Sequence, residues 1–305
     1  MKMKMQKKQP MSKWMGIGIS ILALAALSSC DIINPEEDIP AYIYVPDIEL
    51  QANSITEGSS SEKITEVWLS LDGGFLGAYS LPALIPLLET GSREIILQAG
   101  IKDNGINSTP DIYPFYETST YNKTLVSNVV DTIRPVIGYQ DVAKFAFIEN
   151  FERSTHLFQD IRRGQLSQVQ LVAEGAFEGS QSLRIRLDTT SSILEVATNA
   201  RYSELTKQSP LVYLEVNYRS DVPVVFGVIG HDINGLPSQG EAALDPGFSP
   251  REDWNKIYFN LSRMIVDLNR EEYQVVLQAY IPIENGQLSK KSADIWLDNI
   301  KLVHF

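Results

Sequence analysis

The fold is decided by the stretch Leu183-Arg-Ile-Arg-Leu-Asp188, in which apolar and charged side chains alternate residue by residue. Successive side chains of a β-strand point to opposite faces, so a period of two predicts a strand with one apolar and one polar face. The same alternation recurs in residues 66–71, 212–217, 256–261 and 274–279. Many short strands of this kind are typical of antiparallel β-sandwiches.

Turn sequences separate these runs, and no helical period of useful length interrupts them. The turns are Asp72-Gly73-Gly74, Asp103-Asn104-Gly105, Asn234-Gly235 and Asn285-Gly286, all of which favour tight hairpins. Residues 31–138 hold 16 acidic and 5 basic residues, whereas residues 139–305 hold 22 and 16. From this shift and the two lengths we predict an all-β chain, with an immunoglobulin-like β-sandwich at 41–138 and a jelly-roll β-sandwich at 139–305.

The chain is acidic and has one cysteine. Its 305 residues include 26 Lys+Arg and 38 Asp+Glu, for a formal charge of −12. An excess of negative charge repels phosphate backbones, so we predict no nucleic-acid partner. A single cysteine leaves no disulfide framework and no cysteine-based metal cluster.

The first 29 residues have the order of a secretory signal. Residues 1–13 contain five lysines and no acid, and residues 14–27 form an apolar run. A helix of that length rises only about 21 Å, too short for a bilayer core of roughly 30 Å. A basic start, a short apolar core and small residues before a cleavage point are typical of a signal peptide.

Leu27-Ser28-Ser29-Cys30 resembles the bacterial lipobox. The resemblance implies that residues 1–29 are removed and that Cys30, acylated with palmitate, becomes the first residue. An ordinary signal peptide with a chance cysteine is the alternative. Residues 30–40 then form an acidic, proline-containing tether. Its acidic cluster resembles the export signal of Bacteroidota surface lipoproteins, which implies an outer-membrane anchor on the extracellular face, with a periplasm-facing position as the alternative.

Four segments of the second half share an order with a known fold. They are Phe145–Glu152, Gly175–Ile185, Trp254–Leu261 and the closing Asp298-Asn299-Ile300. Through them, residues 145–303 resemble the galactose-binding-like jelly roll of carbohydrate-binding modules. The resemblance implies the fold and leaves the function open, because this fold hosts many roles.

That resemblance also implies one structural Ca²⁺. Its ligands would be Glu149, Glu152, Glu178 and Asp298, with carbonyl oxygens near Gly179. Calcium takes about six to eight oxygen ligands, so carboxylates and carbonyls must converge on it. The alternative is that these acids cap turns and bind no ion. No other cofactor is predicted.

Two aromatic features are candidate contact sites. Tyr113-Pro-Phe115-Tyr116 places three aromatic side chains in a proline-rich loop, and Trp68 lies on the polar face of its strand. Tyr and Phe anchor protein interfaces, and exposed aromatic faces stack on sugar rings. We predict that Trp68, Tyr113, Phe115 and Tyr116 contact a partner or a glycan. The alternative is that the loop folds onto its own domain.

Catalytic signals are sparse. His156, His231 and His304 lack metal-ligand spacing, and no Gly-x-Ser-x-Gly elbow occurs. We therefore predict structural histidines and no enzymatic activity. Asp131-Thr132-Ile133 and Asp188-Thr189-Thr190 resemble the O-glycosylation pattern of Bacteroidota, which implies sugar attachment at Thr132 and Thr189.

Residues 63–88, 100–106, 254–262 and 297–303 are the main segments through which the whole chain resembles a family of Bacteroidota lipoproteins. With the anchor, the tether and the aromatic loop, this predicts a non-enzymatic surface lipoprotein that is an accessory or scaffold subunit of an outer-membrane β-barrel machine. Outer-membrane protein assembly is favoured over type 9 secretion or gliding. The expected partners are the outer membrane, a β-barrel protein and other lipoproteins. The alternative is a glycan-binding surface lipoprotein for polysaccharide uptake, with the jelly roll as its binding module.

Overall fold

The computed structural model describes residues 38–232 and 242–305. The predicted signal peptide, Cys30 and most of the predicted tether lie outside these residues, as does the predicted turn at Asn234-Gly235. Within the described ranges, no helix is both long enough and apolar enough to cross a membrane.

Short strands fill residues 41–137. They are β1 (Ala41–Val45), β2 (Glu49–Leu50), β3 (Glu66–Leu71), β4 (Gly74–Ser80), β5 (Ala83–Leu87), β6 (Gly91–Lys102), β7 (Pro110–Ile112), β8 (Ser119–Leu125), β9 (Val130–Thr132) and β10 (Val136–Ile137). The larger sheet has the order β4-β3-β6-β7, with β8 also beside β6. A second sheet has the order β5-β1-β9, and β2 pairs with β10. The apolar sides of both sheets share one buried core, and we call this half the N-terminal sandwich.

The alternation in residues 66–71 forms β3 as predicted. Val67 and Leu69 are buried in the core, and Trp68 lies on the outer face. Asp72 and Gly73 follow with positive φ angles of 49° and 80°, the left-handed conformation that tight hairpin turns use. Strands β3 and β4 therefore form a hairpin whose outer face carries Trp68.

The second half is also built from strands. They are β11 (Lys144–Glu149), β12 (Asp160–Arg163), β13 (Val169–Val172), β14 (Ser182–Asp188), β15 (Ile193–Ala197), β16 (Tyr202–Ser203), β17 (Val212–Ser220), β18 (Val224–His231), β19 (Ala243–Phe248), β20 (Arg251–Asn260), β21 (Glu272–Tyr280), β22 (Ile283–Glu284), β23 (Gln287–Leu288) and β24 (Ser292–His304). A short 3-10 helix spans Leu166–Gln168, and helix α1 spans Ser262–Leu268.

These strands form two antiparallel sheets of six strands each. The front sheet has the order β13-β14-β24-β17-β20, with β11 also beside β24, and the back sheet has the order β12-β15-β21-β18-β19, with β16 also beside β21. Leu214, Phe259 and Leu297 of the front sheet share a buried core with Phe226 and Leu277 of the back sheet. The second half is a jelly-roll β-sandwich, and the prediction of an all-β chain is confirmed.

The outer face of the front sheet packs against the N-terminal sandwich. Tyr213 of β17, Tyr258 of β20 and Val303 of β24 belong to the same buried core as the N-terminal strands. The hairpin tip between β6 and β7 also bonds to β20, because the Asn104 N–H donates to the Tyr258 carbonyl at 3.0 Å. We call this contact the seam.

Candidate functional site

A buried polar cluster lies in the seam. Glu215 of β17 is fully buried, and its Oε2 is 2.6 Å from Nζ of Lys256 on β20. The hydroxyls of Tyr113 and Tyr139 each donate to Glu215 Oε1 at 2.8 Å. Burial raises the pKa of Glu215, but the charges of Lys256 and Lys301 outweigh burial and hold the pKa below its ordinary value. Glu215 is therefore a buried carboxylate that joins the two sandwiches.

Lys301 of β24 is the second cation of this cluster. Its Nζ donates to the carbonyl of Ser59 at 2.6 Å and to the hydroxyl of Tyr139 at 3.0 Å. Burial lowers the pKa of Lys301 to about 8, although Glu215 acts in the opposite direction. Lys301 is thus an enclosed ammonium group that bonds to residues from both sides of the seam.

The aromatic loop is buried in the seam, so the prediction that it is an exposed contact site is wrong. Tyr113, Phe115 and Tyr116 expose only 1%, 0% and 3% of their surface. The Tyr113 and Tyr213 rings meet edge to face with centroids 5.4 Å apart, and the Tyr116 and Tyr258 hydroxyls lie 3.0 Å apart. The loop folds inward because the seam buries the rings and also supplies hydrogen-bond partners for the hydroxyls.

The part of the front sheet beyond the seam carries a stack of arginine and tryptophan side chains. The Arg219 guanidinium lies 4.0 Å from the Trp296 ring centre and 5.6 Å from that of Trp254. Arg184, on the strand at the other side of Trp296, lies 5.6 Å from the same ring. The Trp254 indole N–H donates to the Gly175 carbonyl at 3.2 Å. Because these rings stack on cationic side chains of the same sheet, they pack on the sheet and offer no free platform for a sugar.

The four predicted calcium ligands do not come together. Glu149 accepts hydrogen bonds from the backbone N–H groups of Phe151 and Leu157. Asp298 accepts the N–H groups of Phe177, Glu178 and Asn299, and burial raises its pKa to about 6. Glu152 and Glu178 line one pocket near Gly179, whereas Glu149 and Asp298 are absent from its lining.

These carboxylates cap turns in the structure, and calcium binding stays a prediction. Glu152 accepts the Ser180 and Gln181 N–H groups, and Glu178 accepts the Asn299 amide at 2.8 Å. In the described part of the chain, no three His, Cys, Asp or Glu side chains form a group that could hold a metal ion.

The predicted glycosylation sites are accessible, and two of the three histidines are bonded within the protein. Thr132 at the end of β9 and Thr189 after β14 are exposed, so glycosylation at both stays a prediction. His231 bonds to the Gln274 side chain at 2.8 Å, and His304 bonds to the Phe305 carbonyl at 3.0 Å.

Among the predicted contact residues, Trp68 is half-buried on the outer face of β3. Its register partners are Ala78 of β4 and Gln98 of β6. The indole stacks on Phe75 with ring centroids 5.3 Å apart and an interplanar angle of 28°. Phe75 exposes 59% of its surface. The two rings therefore form one apolar stack on the outside of the N-terminal sandwich, in which Phe75 is exposed and Trp68 is half-buried.

A glycine lets the indole lie against the sheet. A Cβ atom at Gly100 would lie 2.8 Å from Cβ of Glu66 and 3.0 Å from two atoms of the Trp68 indole. Ser70 and Gln98 lie on the same outer face, and their side chains make no hydrogen bond to any other described residue. We call Trp68, Phe75, Ser70 and Gln98 the aromatic ledge.

A cavity of about 320 Å³ opens in the seam near the ledge. Residues of both sandwiches line it, and its charged lining residues are Lys63, Lys102, Arg251 and Lys256. The lining contains no Asp or Glu. We call this space the seam cavity.

The ledge and the seam cavity are adjacent. Lys102 lines the cavity and also forms an ion pair with Glu66, whose Cβ borders the same Gly100 position as the Trp68 indole. Gly100 and Lys102 lie two residues apart on one strand, a distance of about 7 Å. The outer face of the sheet therefore leads from the aromatic rings to the cavity.

Sequence reasoning missed the seam cavity, although one signal for it exists. Residues 31–138 contain five basic residues, and two of these, Lys63 and Lys102, line the cavity. The sequence does not predict that these two lysines line one cavity, because the cavity exists only where the two sandwiches meet.

Comparison with models of protein families and with curated proteins finds no match. Among solved structures, the chain is similar to carbohydrate-binding modules at low identity. A family 30 module of a Clostridium thermocellum cellulase is 11% identical, with 51% of this chain and 96% of that chain covered and a TM-score of 0.40. A family 61 module in complex with β-1,4-galactotriose is 10% identical, with 52% and 95% covered and a TM-score of 0.33. A family 29 module in complex with cellulohexaose is 14% identical, with 54% and 92% covered and a TM-score of 0.33.

Proposed function

We propose that this protein is a lipid-anchored surface lipoprotein that binds glycans through the aromatic ledge. The observation that carries the proposal is the near-parallel Trp68–Phe75 stack on the outer face of the sheet, with Phe75 exposed and Trp68 half-buried, beside the unbonded side chains of Ser70 and Gln98. Sugar sites combine aromatic surface, which covers the apolar face of a ring, with a few polar groups that bond its hydroxyls. The ledge offers both.

The proposal moves the binding surface from the jelly roll to the N-terminal sandwich. On the front sheet, the buried aromatic loop covers one part of the outer face and the stack of Arg219 with Trp254 and Trp296 occupies another. In the Trp68–Phe75 pair, the indole lies against Phe75 and the Phe75 ring is exposed. We assign the aromatic ledge a role in binding and no role in catalysis.

The residues that precede the described part of the chain support a location at the membrane surface. Leu27-Ser28-Ser29-Cys30 supports acylation at Cys30, and the acidic residues that follow support display on the extracellular face. A protein held at the membrane by acyl chains meets a surface polysaccharide at high local concentration.

Calorimetry of the purified full chain with a panel of oligosaccharides tests the ledge. For any glycan that binds, we expect Trp68→Ala and Phe75→Ala to weaken the affinity at least about tenfold, which corresponds to roughly 1.4 kcal/mol. The matched control is Tyr44→Ala, an aromatic on the other sheet of the same sandwich, which should bind as the wild type does. Wild-type affinity in both ledge variants would contradict the proposal.

A second candidate function is the scaffold or accessory role in an outer-membrane β-barrel machine. The observation that favours it is a group of exposed apolar side chains on β4, β5 and the residue after β5: Leu76, Leu84 and Leu88 expose 42%, 57% and 64% of their surface. Exposed apolar patches often mark protein contacts. Purification of the anchored protein in mild detergent should then recover a β-barrel protein in stoichiometric amount, and recovery of the chain alone would count against this candidate.

A further inference from the structure

Two cations in the seam cavity have no acidic partner. Lys102 pairs with Glu66 and Lys256 with Glu215, whereas Lys63 and Arg251 form no ion pair with any described carboxylate. Lys63 comes from the N-terminal sandwich and Arg251 from β20, so the seam brings them to one space. Burial and the charge of Arg251 both lower the pKa of Lys63, as expected for a partly buried cation near a second cation.

Three acids near the cavity make other contacts. Glu62 accepts the Ile64 N–H at 2.6 Å, and Glu66 and Glu215 hold the other two lysines of the cavity. The whole chain has a formal charge of −12, whereas this cavity contains a lysine and an arginine without ion-pair partners and is therefore locally positive. An anion in the cavity would offset the mutual repulsion of the two cations and would receive charge-assisted hydrogen bonds.

The cavity walls are held in place by the fold. Gly105, at the tip between β6 and β7, has a φ of +70°, and a Cβ atom there would lie 2.7 Å from Ile257 on β20. The Lys63 N–H donates to the Tyr258 hydroxyl at 3.0 Å, and the Lys63 ammonium bonds to the side chain of Asn255. The lysine is thus positioned by both sandwiches before any ligand arrives.

We propose that the seam cavity binds the acidic group of a glycan whose neighbouring sugar stacks on the aromatic ledge, so that the protein prefers anionic polysaccharides to neutral ones. This inference rests on the proposed function, because the ledge supplies the sugar contact. A cavity of about 320 Å³ has room for one small group. Uronate carboxylates and sulfate esters share the required chemistry, a compact oxyanion that Lys63 and Arg251 can bond.

The test is calorimetry of the full chain with three oligosaccharides of equal length: an oligogalacturonate, a sulfated oligogalactose and the neutral oligogalactose. We expect at least one acidic compound to bind the wild type about tenfold or more tighter than the neutral one. The preference should shrink to less than about threefold in the double variant Lys63→Gln/Arg251→Gln. The control is Lys123→Gln/Arg134→Gln, which removes the same charge from the surface of the N-terminal sandwich and should keep the preference. The two acidic compounds show whether carboxylate or sulfate is the better ligand.

Salt dependence of the wild type gives a measurement that needs no variant. Raising the NaCl concentration from about 50 mM to about 500 mM should reduce the advantage of the acidic compound and leave neutral binding nearly unchanged. Equal affinity for acidic and neutral compounds, or the same loss in the control variant, would overturn the inference while leaving the effect of Trp68→Ala, and so the proposed function, intact. Binding of inorganic sulfate alone, without a preference among the glycans, would also overturn the inference. Failure of all three oligosaccharides to bind would overturn the inference, while the wider panel of oligosaccharides still decides the proposed function.

Discussion

At the scale of single residues, Lys301 makes folding depend on pH. Its folded pKa is about 8 because of burial, whereas an exposed lysine in the unfolded chain titrates near about 10.4. Between these values the unfolded state binds more protons than the folded state, so the free energy of unfolding rises with pH. We expect it to increase by about 1–2 kcal/mol from about pH 7.5 to about pH 9.3. Lys301→Met should remove that increase.

Urea unfolding at the two pH values measures this effect. The control is Lys123→Met, since Lys123 is partly exposed and lies away from the seam, and this variant should keep the wild-type slope. The window stops below about pH 10 because the buried tyrosines, whose pKa values burial raises, begin to oppose the trend above their ordinary value. An equal pH slope in wild type and Lys301→Met would show that Lys301 is not the group responsible.

The buried residues of the seam show where sequence reasoning stops. Glu215, Lys256 and Lys301 stand on the polar side of strands that alternate regularly, and a polar side normally faces water. The aromatic loop carries the ring types that anchor interfaces between proteins. The interface exists, but its second surface belongs to the same chain. Local pattern identifies a face and says nothing about what covers it.

At the scale of the element, the β3–β4 hairpin and its neighbour β6 hold the ledge flat. Gly100→Ala would place a methyl group 2.8 Å from Glu66 Cβ and 3.0 Å from the Trp68 indole. We expect this variant to tilt the indole away from the sheet and to weaken glycan binding several-fold, with a loss of about 1–3 kcal/mol in stability from overpacking.

Gly74→Ala is the matched control for that prediction. It lies in the same sheet, and its Cβ atom would come no closer than 3.4 Å to the neighbouring backbone. By calorimetry and thermal unfolding, Gly100→Ala should therefore bind glycan more weakly and be less stable than Gly74→Ala. If Gly100→Ala binds and melts as Gly74→Ala does, the glycine is not what positions Trp68.

Most of the elements follow from local rules. The alternation of residues 66–71, 183–188 and 212–217 lies within β3, β14 and β17, because a strand with one apolar face must pack that face to be stable. The turns after β3 and β22 have the positive φ angles that their Asp-Gly and Asn-Gly sequences favour. The sequence predicts one of the two rings of the ledge. Trp68 is found because it stands on the polar face of its strand. Phe75 is not found, because it lies beyond a turn and a register shift in β4.

At the scale of the whole molecule, the seam couples the stability of the two sandwiches. Tyr213, Tyr258 and Val303 extend the N-terminal core into the front sheet, so we expect the wild type to unfold in a single transition. Glu215→Leu would leave Lys256, whose side chain is 2% exposed, as an unpaired buried cation. Losing one partner of a buried pair costs about 3–5 kcal/mol. The variant should therefore unfold in two separate transitions.

Differential scanning calorimetry measures the number of transitions. The control is Glu195→Leu, which removes a carboxylate that pairs with Arg162 in the back sheet, away from the seam, and which should keep a single transition. A single transition in Glu215→Leu at the wild-type temperature would show that the buried cluster does not hold the sandwiches together.

The seam cavity exists only because the two sandwiches are packed together. Lys63 and Arg251 are 188 positions apart in the chain, and each is an ordinary surface cation in its own sandwich. Only the docking of one sandwich on the other makes them neighbours. No local pattern predicts such a site, because its charge comes from long-range packing.

The different settings of the tryptophans have a spectroscopic consequence. Trp254 and Trp296 are stacked on Arg219 in the front sheet, outside the aromatic ledge. Trp68 lies at the surface against Phe75. Trp68 can therefore report on the ledge without an attached dye: the part of an indole emission shift that Trp68→Phe abolishes originates there.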